Sequence, residues 1–327
     1  MIADAHVDIL LELAHREHRL GETGVFARTW LPLLEAGDVG LQVCPVFVDL
    51  EYQPEGSLRE ALRQVTALHR AAREQPDRVA IVRTRDDLDD DRIKLVLALE
   101  GVEPFGYEIA TADLFWELGL RMAGLTWNRR NPFADGAADE GGLSGLGRRL
   151  LARFAELGVI LDLAHASPRV FDECVETYEG RLLVSHAGCR AVNETPRNLS
   201  DEQLRALAAR DGVFGLMLHP LTIDPASPTI DRVVDHLDHA AAVVGPEQVC
   251  LGGDWTKRLH ELMPAPAPPD GLMPPGLAEG TTVAGLAGPE DYPALVAALR
   301  GRGWAGERLD GLLSGNLLRF LRESLPA

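Results

Sequence analysis

Histidine and carboxylate side chains recur in this sequence at the points where short apolar runs end. They are His6, Asp8, Glu100, His165, His186 and Asp254. Imidazole and carboxylate groups together are ligands that hard-to-borderline divalent cations accept. One such group behind an apolar run is most often structural, but the repetition along a single chain favours a metal site. The five groups other than Asp254 exceed what one tetrahedral catalytic zinc needs, so the sequence predicts two metals bridged by one carboxylate.

Eight apolar runs can supply the strands that position these groups. The runs are Ile2–Asp8, Val39–Asp49, Ile93–Gly101, Leu120–Trp127, Val159–His165, Leu182–His186, Val213–His219 and Val249–Asp254. Most are nearly continuous in apolar residues, which is typical of parallel strands that are buried on both faces. Apolar residues spaced by three or four predict helices between and after them, over Leu58–Glu74, Leu146–Leu157, Pro168–Tyr178, Asp201–Arg210, Ile230–Val244, Pro293–Arg300 and Glu307–Arg322.

This alternation predicts a single α/β domain over residues 1–327, a (β/α)8 TIM-type barrel. A doubly wound open sheet is the alternative, but the Gly-rich phosphate loop that usually follows its first strand is missing. Catalytic groups of barrel enzymes come from the C-terminal ends of several strands. His6 and Asp8, two residues apart on one strand, would face the same point. The Pro-rich segment Met263–Gly280 is predicted to be a long loop on that face, where loops shape active sites.

The histidines away from the strand ends lie in helix-like or charged stretches and are predicted to be surface residues. They are His15, His18, His69, His236, His239 and His260. His219 differs from them because it ends the seventh run.

Composition and charge exclude several classes of protein. The chain has 327 residues, 46% hydrophobic and 25% charged, which excludes a disordered, coiled-coil or collagen-like chain. Acidic residues outnumber basic ones 50 to 32, giving a net charge of −18, so no nucleic-acid partner is expected. No apolar stretch reaches the roughly 18 residues of a membrane-spanning helix, and the four cysteines form no CxxC pair. The N-terminus does not read as a signal peptide, so a cytoplasmic enzyme without a membrane partner is expected.

Motifs that carry a resemblance to a known family run from residue 4 to residue 319 in that family's order. They are Asp4-Ala5-His6-Val7-Asp8, Ala98-Leu99-Glu100-Gly101, Leu125-Thr126-Trp127-Asn128, Asp162-Leu163-Ala164-His165-Ala166-Ser167, Ser185-His186-Ala187, Arg197-Asn198-Leu199-Ser200-Asp201, Gly252-Gly253-Asp254 and Gly315-Asn316-Leu317-Leu318-Arg319. The chain resembles the membrane (renal) dipeptidase family, zinc dipeptidases of the amidohydrolase superfamily. The resemblance implies hydrolysis of small dipeptides with two Zn²⁺ per chain.

The resemblance also implies a role for each matched residue. The metal ligands would be His6 and Asp8 for the first zinc, His165 and His186 for the second, with Glu100 bridging both. Arg197 would hold the terminal carboxylate of the substrate, which suits its planar fork. Asp254 would contact the substrate amine and transfer a proton, while water activated by the zinc pair attacks as hydroxide. Dimers are usual in the family, so a homodimer is the assembly that the resemblance allows.

The sequence departs from many members of the family at Trp127, where they carry a histidine that stabilises the oxyanion of the tetrahedral intermediate. Indole offers one N–H donor and no acceptor, so Trp127 is expected to stack on the substrate or to wall the pocket. Asn128 beside it is expected in the same pocket. His219 would either supply the missing donor or simply pack at its strand end. Thr256 replaces a second acid found in many relatives, so the substrate is the least fixed part of the prediction.

Two other functions remain open. An amidohydrolase acting on another carboxylate-bearing amide or lactone would keep the metals, although Arg197 favours a free carboxylate. A catalytically degenerate barrel that acts as a binding protein is the second alternative. The intact set of ligands argues against it, because buried charges without a partner are costly.

Overall fold

Eight parallel strands close into a barrel in the computed structural model, which describes residues 1–264, 269, 272–274 and 276–327. The described sheet has nine strands, eight in the barrel and one beside it, namely β1 (Ile2–Asp4), β2 (Val39–Phe47), β3 (Val79–Ile81), β4 (Ile93–Glu100), β5 (Leu120–Gly124), β6 (Ile160–Asp162), β7 (Leu182–Ala187), β8 (Val213–Met217) and β9 (Val249–Gly252). Their order is β2-β1-β9-β8-β7-β6-β5-β4-β3, and pairing of β2 with β4 closes the ring. The short β3 lies outside the ring and pairs with the start of β4. The predicted TIM-type barrel is confirmed.

Several strands end before the residues that carry the predicted chemistry. The first strand was expected to run through Asp8, but β1 ends at Asp4, and Asp8 is the N-cap of the following helix. The side chain of Asp4 accepts a hydrogen bond from the His6 backbone N–H at 3.0 Å, which turns the chain out of the sheet. Asp162 does the same at the end of β6, where its carboxylate accepts the Ala164 N–H at 3.0 Å.

Helices separate the strands and form the outer layer of the barrel. They are α1 (Ile9–Arg19), α2 (Val25–Thr29), α3 (Leu31–Ala36), α4 (Ser57–Glu74), α5 (Thr111–Leu118), α6 (Gly145–Leu157), α7 (Pro168–Thr177), α8 (Asp201–Ala208), α9 (Pro220–Ile223), α10 (Ile230–Val244), α11 (Lys257–Leu262), α12 (Tyr292–Gly301), α13 (Gly306–Asp310) and α14 (Asn316–Ser324). All seven predicted helices are present, with a π-helical turn at Gly311–Gly315 interrupting the last. Helices α1 and α5, strand β3 and the short helices α2, α3, α9 and α11 were not predicted from the sequence.

The Pro-rich segment is only partly described. Of the predicted loop Met263–Gly280, residues 265–268, 270–271 and 275 lie outside the described residues. Its described residues contain no helix or strand, as predicted. Among the described residues, no helix is long and apolar enough to cross a membrane.

The core has two parts. Small and branched residues such as Ala3, Leu41 and Ala98 fill the barrel together with Leu317 and Phe320 of α14. The larger cluster lies between the outer faces of the strands and the helices. The four cysteines are free and buried, and burial raises the pKa of the Cys44 and Cys250 thiols above the ordinary range.

His236 is buried in α10, whereas the sequence analysis predicted it at the surface. The Cys189 N–H donates to its Nδ1 at 3.0 Å, and its Nε2–H donates to the Ile223 carbonyl oxygen at 2.9 Å. Burial lowers the pKa of His236 to about 4. The ring is therefore a neutral, fully bonded part of the core.

Candidate active site

The six predicted strand-end groups come together at the C-terminal mouth of the barrel, with Glu100 of β4 at their centre. One oxygen, Glu100 Oε1, lies 2.7 Å from His165 Nε2 and 3.9 Å from His186 Nε2. The other, Oε2, lies 3.5 Å from His6 Nε2. The two oxygens thus face different partners, as a bridging carboxylate must.

On one side of Glu100, the hydrogen bonds fix the tautomers of two buried imidazoles. His165 Nδ1–H donates to Asn128 Oδ1 at 2.7 Å, and His186 Nδ1–H donates to Ser185 Oγ at 2.7 Å. The Nε2 lone pairs of both rings then point at each other, 2.8 Å apart, beside the carboxylate. Burial lowers the pKa of His165 to about 4 and that of His186 well below the usual value, so both rings are neutral. Three acceptors converging in this way fit a cation, and the bonds at Nδ1 orient the imidazole ligands.

On the other side, carboxylates surround His6. The ligand atoms of His6, Asp8 and Asp254 lie within 4.8 Å of one another. In the part of the chain that the structure describes, His6 Nε2 and Asp8 Oδ1 are buried without a hydrogen-bond partner. Burial would lower the pKa of His6, but the Glu100, Asp8 and Asp254 carboxylates raise it to about 10. A buried excess of negative charge is costly unless a cation balances it, so this half also fits a metal.

Two buried acids that the sequence analysis did not single out hold these groups in place. Asp4 Oδ1 accepts the backbone N–H groups of His6 and Gly253 at 3.0 and 2.9 Å, and its Oδ2 accepts the Tyr292 hydroxyl at 2.6 Å. Asp162 Oδ2 accepts the Ser185 hydroxyl at 2.5 Å, so this serine is oriented to accept from its neighbouring imidazole. Each acid ties one strand end to the next; the signal in the sequence was an acid two or three residues before a candidate ligand.

Two of the six groups sit on a left-handed backbone. His165 has φ +63° and Asp254 has φ +47°, a region that residues other than glycine rarely occupy. The Asp254 N–H donates to the His6 carbonyl oxygen at 2.9 Å, which fixes its turn against the end of β1. These turns aim the two side chains into the mouth of the barrel.

Arg197 lies in the loop between β7 and α8, and it is buried with only 4% of its surface exposed. Its Nη2 is 3.1 Å from His165 Nε2 and donates to the His186 carbonyl oxygen at 3.3 Å. Burial lowers its pKa to about 10, so the guanidinium keeps its charge at neutral pH. Asn198 beside it donates to the Thr222 carbonyl oxygen at 2.8 Å and pins the loop. Arg197 is therefore a buried cation at the edge of the candidate metal site.

Trp127 and His219 line the same cavity as Glu100 and Arg197. Trp127 is half-buried, with its ring edge-on to Phe47 at 5.3 Å and 6.2 Å from the ring of His165. The Leu221 N–H donates to His219 Nδ1 at 3.2 Å, and burial lowers the pKa of His219 to about 4. The His219 ring is therefore neutral, and its single proton is on Nε2, where it is available as a donor.

The cavity has a volume of about 490 Å³ and extends from Glu100 over α1, α4, α9 and α11. Three histidines predicted at the surface, His15, His18 and His260, line its outer part. The sequence could not place them there because α1 and α11 were not predicted.

Known proteins are similar to this chain in sequence and in fold. The sequence model of the membrane dipeptidase family, peptidase family M19, matches residues 1–263. Dipeptidase 3 of Rattus norvegicus is 27% identical over 337 residues, which cover 98% of this chain and 64% of that protein. Dipeptidase verJ of Clonostachys rogersoniana is 27% identical over 282 residues, covering 84% of this chain and 66% of that protein. This chain thus spans less than two thirds of the length of the rat relative.

A solved structure has the same fold over its full length. It is a metallo peptidase from Rhodobacter sphaeroides liganded with a phosphinate mimic of the dipeptide L-Ala-D-Ala. The TM-score is 0.86, with 23% sequence identity and 99% of both chains covered. Because the family match extends through all nine strands and every strand-end group at the barrel mouth, the chain belongs to the membrane dipeptidase family.

Proposed function

We propose that this protein is a metal-dependent dipeptidase that hydrolyses the peptide bond of small dipeptides. The observation that carries the proposal is the position of Glu100, which separates an imidazole pair from a carboxylate cluster in one cavity with a buried arginine. Such a cavity can take a small molecule that has a polarisable carbonyl and a free carboxylate. A dipeptide has both.

Two zinc ions are the cofactor that the donor set supports. His6 and Asp8 would hold one ion, His165 and His186 the other, and Glu100 both. Neutral imidazoles and carboxylates are ligands that zinc accepts, and a divalent ion would relieve the unpartnered His6 Nε2 and Asp8 Oδ1. Zinc in these positions would supply the Lewis acidity that lowers the pKa of the attacking water and polarises the scissile carbonyl.

Arg197 and Asp254 would bind the two ends of the substrate. The Arg197 guanidinium pairs with the terminal carboxylate through its planar fork. Asp254 accepts a proton from the attacking water and passes it to the leaving amine as the C–N bond breaks. Burial raises the pKa of Asp254 to about 6, and a group with a pKa near the working pH both takes and returns a proton efficiently.

His219 would donate a hydrogen bond from Nε2–H to the oxyanion that develops on the carbonyl oxygen. Its Nδ1 is occupied by the Leu221 N–H, so the proton on Nε2 is the one that faces a ligand. Trp127, which stands where many family members have a histidine, would then wall the pocket and pack against the substrate. This division of roles would allow the site to function without the usual histidine.

A dipeptide library assayed against zinc-loaded protein tests the proposal, together with elemental analysis of the protein purified without chelator. We expect two zinc ions per chain and release of free amino acids that stops when a chelator removes the metal. Hydrolysis of another carboxylate-bearing amide or lactone, with no dipeptide cleaved, would replace the dipeptidase assignment by the broader hydrolase one. Absence of bound metal and of any turnover would leave a binding protein.

A further inference from the structure

The cavity is larger than the smallest dipeptides need. Its volume of about 490 Å³ lies within the roughly 300–1,000 Å³ typical of pockets that enclose drug-sized ligands. The space is also unevenly distributed around the metal site. A separate depression beside Arg197, lined by Pro196 and Gln203, holds only about 10 Å³.

The large part of the cavity lies on the side of Asp8 and Asp254. The helices that line it, α1, α4, α9 and α11, follow β1, β2, β8 and β9, which are consecutive in the barrel. Arg197 follows β7, and His165 follows β6. If Arg197 holds the carboxylate, the amine end of the substrate points towards Asp254, and the side chain of that residue projects into the large part.

Apolar side chains line much of this space. We call this apolar part of the cavity the amine-side chamber. The side chains that form its walls are Leu11, Ala14, Leu221, Leu259, Met263 and Leu272. Leu221, Leu259 and Leu272 are buried, and Leu11 projects partly exposed from α1, three residues after Asp8. Apolar walls stabilise an apolar side chain by about 25 cal/mol for each Å² removed from water.

The outer rim of the cavity is acidic. Asp49, Glu51, Glu60 and Glu279 line the rim. Among the rim residues that the structure describes, Arg19 is the one that carries a permanent positive charge. A carboxylate at the end of the amine-side residue would therefore lie near an excess of like charge, four carboxylates against the single guanidinium of Arg19 among these rim residues. Neutral side chains avoid this repulsion.

We infer that the preferred substrate is a dipeptide whose amino-terminal residue carries a large apolar side chain, which fills the amine-side chamber. The inference rests on the proposed dipeptidase function. It concerns the residue that supplies the scissile carbonyl, whereas Arg197 fixes the residue that supplies the free carboxylate.

Isomeric dipeptides test this inference on the zinc-loaded wild-type protein. Leu-Ala and Ala-Leu, or Phe-Ala and Ala-Phe, have the same composition and differ only in which side of the peptide bond carries the bulk. We expect kcat/KM to favour Leu-Ala and Phe-Ala over their isomers by about tenfold or more, the usual effect of filling an apolar pocket. Gln-Ala should be a better substrate than Glu-Ala. Equal or reversed preference within the isomeric pairs overturns the inference but leaves the dipeptidase function intact, whereas failure to cleave any dipeptide removes the function itself.

A pair of substitutions locates the preference in the chamber. Leu11→Trp fills part of the chamber, so the ratio of kcat/KM for Phe-Ala to that for Ala-Ala should fall by about tenfold. Leu114→Trp is the matched control, because Leu114 is exposed on α5, away from the cavity. It should leave the ratio unchanged, and thermal unfolding checks that both variants are folded. An unchanged ratio in folded Leu11→Trp overturns the assignment of the chamber, and the isomeric pairs decide the inference if that variant does not fold.

Discussion

His219→Asn removes one predicted donor while leaving the local fold in place. The Nδ1 of His219 accepts the Leu221 N–H and caps the short helix α9. The amide oxygen of asparagine can take the same position, and asparagine is among the best N-cap residues. Nothing in asparagine reaches the position of Nε2, so the substitution separates the cap from the donor.

The two contributions differ enough in size to be told apart. Loss of one oxyanion donor typically lowers kcat by about 10²–10³, or about 2.7–4 kcal/mol in the transition state. Replacing one good cap by another changes stability by only a few tenths of a kcal/mol, because a complete loss of a cap costs roughly 1 kcal/mol. Because burial lowers the pKa of His219 to about 4, its Nε2–H is present across the neutral range, and the loss of rate should not depend on pH there.

Steady-state kinetics on a cleaved dipeptide, with zinc content and thermal unfolding measured on the same samples, gives the answer. We expect His219→Asn to lose at least a hundredfold in kcat with little change in KM, metal content or unfolding temperature. His219→Gln, which places an N–H near the position of Nε2, should recover part of the loss. Wild-type kcat in His219→Asn would refute the reasoning, and a rise in KM alone would make His219 a substrate contact and not an oxyanion donor.

Further expectations concern the bridging carboxylate, the guanidinium, the pocket wall and the core. Glu100→Gln should lower bound zinc below two per chain and abolish turnover; elemental analysis showing two zinc ions and full activity would remove it from the bridging role. Arg197→Lys keeps the charge but loses the fork, so kcat/KM should fall far more for free dipeptides than for their C-terminal amides, and an equal fall would contradict carboxylate binding. Trp127→His should change kcat little in the wild-type background, but in His219→Asn it should raise kcat by about tenfold or more, since it returns a hydrogen-bond donor. No recovery of kcat in that double variant would mean that a donor at residue 127 cannot replace the one at residue 219. The His236 pKa of about 4 in the folded protein lies below the value of about 6.5 in the unfolded chain. The unfolded chain therefore takes up a proton first as the pH falls, so the contribution of the neutral ring to the free energy of unfolding is complete above pH 6.5 and declines towards pH 4. Urea unfolding at pH 7.5 and 4.5 should show up to about 3 kcal/mol of this loss, and His236→Asn should reduce the difference; an unchanged pH dependence would contradict the assignment.

The barrel and the convergence of its polar groups were predictable because both follow from simple rules. Apolar runs alternating with helical patterns specify the barrel, and the carboxyl ends of parallel strands then bring Glu100, His165 and His186 to one mouth. The role of Asp4 was missed, because a carboxylate that accepts backbone N–H groups resembles a ligand in the sequence; the signal available was its position two residues before His6. The amine-side chamber was hidden because α1 begins directly after the first apolar run, and its start at Ile9 reads as a continuation of that run. The burial of His236 could have been found, since it lies three residues after Val233 and four before Ala240 on the apolar stripe of α10.

The left-handed turns at His165 and Asp254 lower the stability of the fold while they position two side chains of the candidate active site. A residue other than glycine held in a sparsely populated backbone region costs about 1–3 kcal/mol, and glycine would adopt these angles without the penalty of a Cβ. A laboratory selection for thermal stability alone would therefore favour glycine at both positions. Each substitution would raise the stability of the fold but remove an imidazole or a carboxylate from the mouth of the barrel. Conversely, a metal ion bound at the proposed site would add stability that the metal-free form lacks. A metal-bound form would thus tolerate a strained backbone at these two turns, and attempts to stabilise the protein should leave them unchanged and act on the outer helices.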